Sequence, residues 1–194
     1  MDMKPTGKLA EMKKELDALI TAPGTDRDQH FGRIACLQAL KAARSGNYGV
    51  GALLVDPVGK IVALGHNKAF YPYFQSSRHA EMVTMDSFER RFREITNLAE
   101  HELYTSTEPC PMCIARLVIS GVGSIKYVAP DPGGGMVQHM AHLPTSFQNL
   151  ARSQRFSLAN CSPKLQAIAT DIFLLNLQAL RAELFKRRPA LQTA

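Results

Sequence analysis

Two short patterns, His79-Ala80-Glu81 and Pro109-Cys110-Pro111-Met112-Cys113, constrain this chain more than any other feature. They favour a fold that brings one histidine to a pair of cysteines. Alone, C-x-x-C is ambiguous: it can be half of a structural zinc site, a redox pair or an accident of spacing. The redox reading finds no other support in the chain. A purely structural site would usually bring a fourth cysteine or histidine at motif spacing. His66, His101, His139, His142 and Cys161 are present, but none stands at such a spacing. Zinc takes nitrogen and sulfur ligands in a tetrahedron, and a catalytic zinc keeps one position open for water. His79, Cys110 and Cys113 supply three ligands, for one zinc per chain. Glu81 stands two residues from His79, so on a helix it points to a different side and is not a further ligand. It is suited instead to move protons to and from a reacting water.

Length and composition narrow the setting. A chain of 194 residues, 45% hydrophobic and 21% charged, has room for one well-cored domain and not for two ordinary ones. No stretch has the long uncharged apolar run of a membrane helix. Met1 to Leu19 mixes charges with apolar residues and lacks the apolar block of a secretory signal. A cytoplasmic location without a membrane partner is therefore expected. Four cysteines are too few for a disulfide scaffold, and a reducing compartment suits zinc thiolates. The net charge of +6 permits an anionic partner such as RNA without requiring one.

Hydrophobic periodicity orders the rest. Lys8 to Ile20 reads as an amphipathic helix stopped by Ala22-Pro23-Gly24, packed on the main domain or a partner, or else a loose arm. It forms an N-terminal extension over residues 1–24. Asp26 to Arg44 is a second helix with Asp26 or Asp28 as its cap. Val50–Val55 and Lys60–Leu64 flank a turn and form a hairpin. Phe70-Tyr71-Pro72-Tyr73-Phe74 is an aromatic loop, either a wall that stacks on a planar base or a subunit contact. Ser76 or Ser77 is the expected cap of the helix carrying His79 and Glu81. Glu102–Ser106 is a short strand. Pro111 suits the first turn of the next helix, which stops at Gly121. Ser124–Ala129 is a strand, Pro130–Leu150 a glycine-rich connection whose His139 and His142 could bind a metal or line the pocket but more simply lie at the surface, and Arg155–Ala159 a last strand. Ser162 caps a long C-terminal helix ending in Lys186-Arg187-Arg188, whose cations suit the helix dipole and could also meet phosphate. The alternation implies a mixed sheet covered by helices on both faces.

Val50-Gly51-Ala52, Gly65-His66-Asn67, His79-Ala80-Glu81, Thr107-Glu108-Pro109-Cys110-Pro111-Met112-Cys113 and Ser124–Ala129 together resemble the cytidine deaminase superfamily. The similar branch has H-A-E with P-C-x-x-C: guanine, yeast-type cytosine, tRNA adenosine and deoxycytidylate deaminases. Cytidine deaminases with cysteine in place of His79 form another branch. The resemblance covers about residues 28–130. It implies an α/β fold, a three-layer α/β/α sandwich around a five-stranded mixed sheet, in a deaminase domain over residues 25–194 with a divergent C-terminal segment. It also implies a homodimer, a zinc-activated water with Glu81 as proton carrier, and substrate contacts from the Asn67 side chain and the Ala80 backbone. The expected reaction is hydrolytic deamination of a nucleobase or nucleoside. The rival substrate is adenosine in tRNA. A zinc-stabilised RNA-binding protein without turnover is disfavoured, because a structural zinc needs no acid–base partner at Glu81.

Overall fold

The computed structural model describes residues 6–19 and 26–188. Within them lie α1 (Thr6–Ala18), α2 (Arg27–Arg44), β1 (Gly51–Val55), β2 (Ile61–His66), α3 (Ala80–Arg91) and β3 (Glu102–Thr107). There follow α4 (Pro111–Ser120), β4 (Ser124–Ala129), a 3-10 turn (Val137–His142), α5 (Thr145–Ala151), β5 (Arg155–Leu158) and α6 (Pro163–Lys186). The strands form one sheet in the order β2-β1-β3-β4-β5. β1 pairs antiparallel with β2 and with β3, whereas β3, β4 and β5 run parallel. The expected five-stranded mixed sheet between helical layers is present.

Side-chain alternation divides the core between the two faces. Leu53, Val55 and Tyr104 meet Phe31 and Ala35 of α2 on one face. Leu54, Leu103 and Ile125 meet Met85 and Phe88 of α3 and Leu117 of α4 on the other. The register agrees: Leu53 opposes Tyr104 and Leu54 opposes Leu103. β1 is buried along its whole length, as a central strand with both faces covered must be. Leu9, Met12 and Leu16 of α1 join Cys36 and Leu40 of α2 and Leu165 and Ile168 of α6 in a third cluster. The N-terminal helix is thus docked on its own domain rather than a loose arm. Its expected end at Ile20, the stop at Ala22–Gly24 and the boundary near residue 24 lie outside the described residues.

Local signals account for most helix ends. The Asp26 carboxylate accepts from the backbone N–H groups of Asp28 and Gln29, and Ser162 Oγ from that of Leu165. Two expectations need correction. Neither Ser76 nor Ser77 caps α3; His79 occupies the cap position, with an extended backbone and no capping bond. The two serines belong to the preceding turn, so the helix starts later than their chemistry suggested. The connection from Pro130 to Leu150 also contains the 3-10 turn and α5, which have no buried residues and hence no apolar face to betray them.

Candidate active site

Two helix N-termini converge at one end of the sheet. β2 leads through Asn67 towards α3, and the close approach of α3 to β2 depends on Gly65. A Cβ there would stand 2.4 Å from Thr84 Oγ1 and 2.6 Å from the Ala80 carbonyl oxygen. β3 ends at Thr107 and passes through Pro109 to Cys110, the cap residue of α4, with Pro111 in its first turn. Neither His79 nor Cys110 spends its side chain on capping. Both meet Cys113 instead.

The three donors fit a zinc ion. Cys110 Sγ lies 3.4 Å from His79 Nδ1, Cys113 Sγ lies 3.7 Å from it, and the two sulfurs are 3.7 Å apart. With Zn–S of about 2.3 Å and Zn–N of about 2.0–2.1 Å, a tetrahedron places two sulfurs roughly 3.8 Å apart and sulfur and nitrogen roughly 3.5–3.6 Å apart. The observed edges match both. Among the described residues this is the cluster of metal-binding side chains whose donor atoms all lie within 4.8 Å of one another. Glu81 is outside that set, as the two-residue offset from His79 predicted.

Glu81 nevertheless borders it. Its Oε2 accepts from Cys113 Sγ at 3.4 Å and its Oε1 from the Thr105 hydroxyl at 3.4 Å. Glu81 is 3% exposed. Burial raises its pKa, and the negative Cys110 sulfur raises it further, against a lowering by His79. Burial alone would lower His79, but the hydrogen bond with Cys110 and that sulfur's charge reverse the direction. Cys110 is brought down to about 4, first by its hydrogen bond with Cys113, against the opposing effect of burial, and then by His79. One sulfur of the pair is therefore a ready thiolate.

A cavity of about 150 Å³ opens over these groups. Asn67 lines it and is 1% exposed. The Asn67 side-chain oxygen accepts from the Ala69 N–H at 3.0 Å, which leaves the amide NH₂ to address a ligand. Ala80 is fully buried, its carbonyl accepts from the Thr84 hydroxyl, and it is not among the residues lining the cavity. His139 and His142 are exposed and likewise not part of the lining. The aromatic loop contributes no wall; its Phe70 instead packs edge-on against Tyr48, which does line the cavity.

The remaining walls come from Thr107 and Glu108, which stand just before the cysteine pair, and from residues beyond Ala129 that no motif marks. Thr107 Oγ1 is buried without a hydrogen-bond partner among the described residues, and Thr107 borders the cavity. Glu108 accepts from the N–H groups of Asp131 and Val137, holding the glycine-rich turn beside it. Phe173, Leu177 and Arg181 of α6 also line the cavity, with the Arg181 guanidinium beside the Asp131–Gly135 turn. Their spacing of four places them on one helix face, a signal that shows a face but not what it covers.

A buried carboxylate beside a His-Cys-Cys metal site, on a five-stranded sheet with helices on both faces, defines a zinc-dependent deaminase. A family model described as the cytidine and deoxycytidylate deaminase zinc-binding region matches residues 25–129, and the chain belongs to that family. The tRNA-specific adenosine deaminase of Bacillus subtilis is 32% identical over 131 residues, covering 68% of this chain and 75% of that protein. The chloroplastic tRNA(adenine(34)) deaminase of Arabidopsis thaliana is 36% identical over 104 residues, or 54% of this chain, but the match spans only 8% of that much longer protein. Among solved structures, a tRNA:A34 deaminase superposes with a TM-score of 0.62 at 23% identity, covering 74% of this chain and 98% of the other. Guanine deaminase from Nitrosomonas europaea gives 0.59 at 19%, covering 79% and 86%. At those identities the structures establish the fold.

Proposed function

We propose that the protein removes the amino group of adenosine held in RNA by hydrolysis, leaving a carbonyl and releasing ammonia. The observation that carries the reaction is the buried Glu81 carboxylate at the edge of the three-donor cluster. The RNA substrate is supported by the similarity to tRNA-specific adenosine deaminases across two thirds of the chain.

His79, Cys110 and Cys113 hold the zinc, which when bound supplies a Lewis acid that activates water. Glu81 accepts the proton of the attacking water. It delivers that proton to the ring nitrogen beside the amino-bearing carbon, and later assists the departing ammonia. The carbon–oxygen bond forms, the carbon–nitrogen bond to the amino group breaks, and the ring becomes a lactam. The Asn67 NH₂ donates to an acceptor on the ring and fixes its rotation. Phe173 and Leu177 present apolar surface to the ring.

A second reading, deamination of a free base, is favoured by the size of the cavity, which suits a single planar heterocycle better than a whole nucleoside. One experiment separates the two. Inosine formation in tRNA and ammonia release from adenosine, adenine, guanine and cytosine are measured side by side. Inosine in tRNA with little release from the free compounds is the expected result. Release from a free base alone would replace the RNA substrate by that base, and no product from any member would remove the proposed activity.

A further inference from the structure

We infer that the aromatic loop Phe70–Phe74 and the C-terminal end of α6 form a docking platform for single-stranded RNA beside the cavity. Bases flanking the target stack on Tyr71 and Tyr73, while Arg181 and Arg187 meet the phosphates. This rests on the RNA reading above and adds a surface that the matched family region supplies only in part, since α6 lies beyond residue 129.

Tyr71 and Tyr73 are 61% and 65% exposed, though neighbouring rings of the same loop are packed. The loop is held in place from below. The buried Asn47 side-chain oxygen accepts from the N–H groups of Phe70 and Tyr71 at 2.8 and 3.0 Å, and the Gln75 N–H donates to the Ala69 carbonyl. Holding the loop fixed lowers the ordering cost of a stacking surface. Contacts run from the cavity outward: Tyr48 lines it, Phe70 packs on Tyr48, and Phe74 packs on Phe70. The Arg187 guanidinium lies 4.0 Å over the Phe74 ring, bringing the end of α6 to the loop. Arg181, one of the cavity-lining residues, and Arg187 have no acidic partner among the described residues.

This pairing of exposed hydroxyl-bearing rings with uncompensated cations suits nucleic acid. Every base offers a face for stacking, and every phosphate a charge for arginine. The chain's net charge of +6 points the same way.

The test uses an RNA stem-loop with one adenosine in its single-stranded loop. Binding by the whole chain is compared with that of Tyr71→Ala/Tyr73→Ala, Tyr71→Phe/Tyr73→Phe and Arg187→Ala. Val58→Ala, at the far hairpin turn, is the control. The double alanine variant is expected to bind roughly tenfold more weakly, with zinc content and melting temperature unchanged. The double phenylalanine variant keeps its affinity, because stacking needs the rings and not the hydroxyls. Arg187→Ala flattens the salt dependence by about one phosphate contact. Unchanged affinity in the double alanine variant overturns the inference. So does an equal loss in the phenylalanine variant, or a shift from dimer to monomer with RNA affinity intact. If the wild type forms no inosine in RNA yet deaminates a free base, the RNA substrate and the platform fall together. If the wild type edits RNA and the variants bind it equally well, the platform alone falls.

Discussion

At Glu81, burial and a place at the edge of the donor cluster suit the side chain to the proposed proton transfer. It stands 3.4 Å from the Cys113 sulfur but outside the set of mutually close metal donors, so Glu81→Gln should leave metal binding intact. Turnover should fall by about 10²-fold or more, since a glutamine cannot carry the proton. Ammonia release measured beside zinc content checks this, and full activity in the variant would remove the mechanism. Asn67 offers a finer test. Asn67→Asp keeps the oxygen that accepts from the Ala69 N–H and loses the NH₂ of this cavity-lining residue. A fall of roughly 10–100-fold or more in kcat/KM is expected, from the lost donor and from a carboxylate placed at a 1% exposed position beside Glu81 and Cys110, which also lowers the melting temperature. His79, Cys110, Cys113 and Glu81 are legible in the sequence because metal chemistry fixes both residue type and spacing. Thr107 lies in the same run as Cys110, but its role at the cavity wall and that of Arg181 are not legible, because what a hydroxyl or a guanidinium faces is set by the path of the chain.

Between elements, Asp28 is the main polar junction. Its carboxylate accepts from the Tyr104 hydroxyl and the Lys126 ammonium, each at 2.7 Å, and from the Asn160 N–H at 2.8 Å. It thereby ties α2 to β3, β4 and the segment after β5. Burial opposes its ionisation, but Lys126, Asn160 and Tyr104 together hold it below the usual carboxylate range. Burial also opposes the charge on Lys126, and Asp28 and Glu102 overcome it, raising that group. The depressed carboxylate stabilises the fold above its unfolded pKa near 3.9, and this is lost as pH falls through the lower folded value. The raised ammonium stabilises below its unfolded pKa near 10.4, and this is lost as pH rises through the higher folded value. The junction therefore contributes fully between about pH 4 and pH 10. Asp28→Asn should cost about 1–3 kcal/mol near neutrality and flatten the acid limb of the stability curve. Chemical denaturation at several pH values measures both; an unchanged acid limb would mean the loss lies elsewhere. Periodicity and turn chemistry suffice to place α1, α2, the hairpin and α6. The junction is invisible to them, because Asp28, Tyr104 and Lys126 are remote in sequence and meet only once β3 and β4 are paired.

For the molecule as a whole, the order of strands and the placing of α6 decide which groups share the cavity. Neither is written in any local window. The parallel β3–β4 pair and the packing of α2 against α6 bring the C-terminal segment back to a site whose ligands all precede residue 114. Asn176, 4% exposed, secures this return by donating to the Ala43 and Asn47 carbonyls, both at 2.9 Å. The same Asn47 holds the aromatic loop, so one buried amide pair links helix, loop and cavity. If this arrangement presents cations to RNA, salt should act on the RNA substrate and spare a neutral one. With Arg181 and Arg187 each meeting one phosphate, log affinity for single-stranded RNA is predicted to fall against log salt with a slope of about −1.4. KM for free adenosine should change little over the same range, since no phosphate is lost from its contacts. Parallel steady-state assays at several salt concentrations give both slopes. Equal salt dependence for the two substrates would place the charge effect in the catalytic cavity itself and leave the α6 cations without a role in RNA binding.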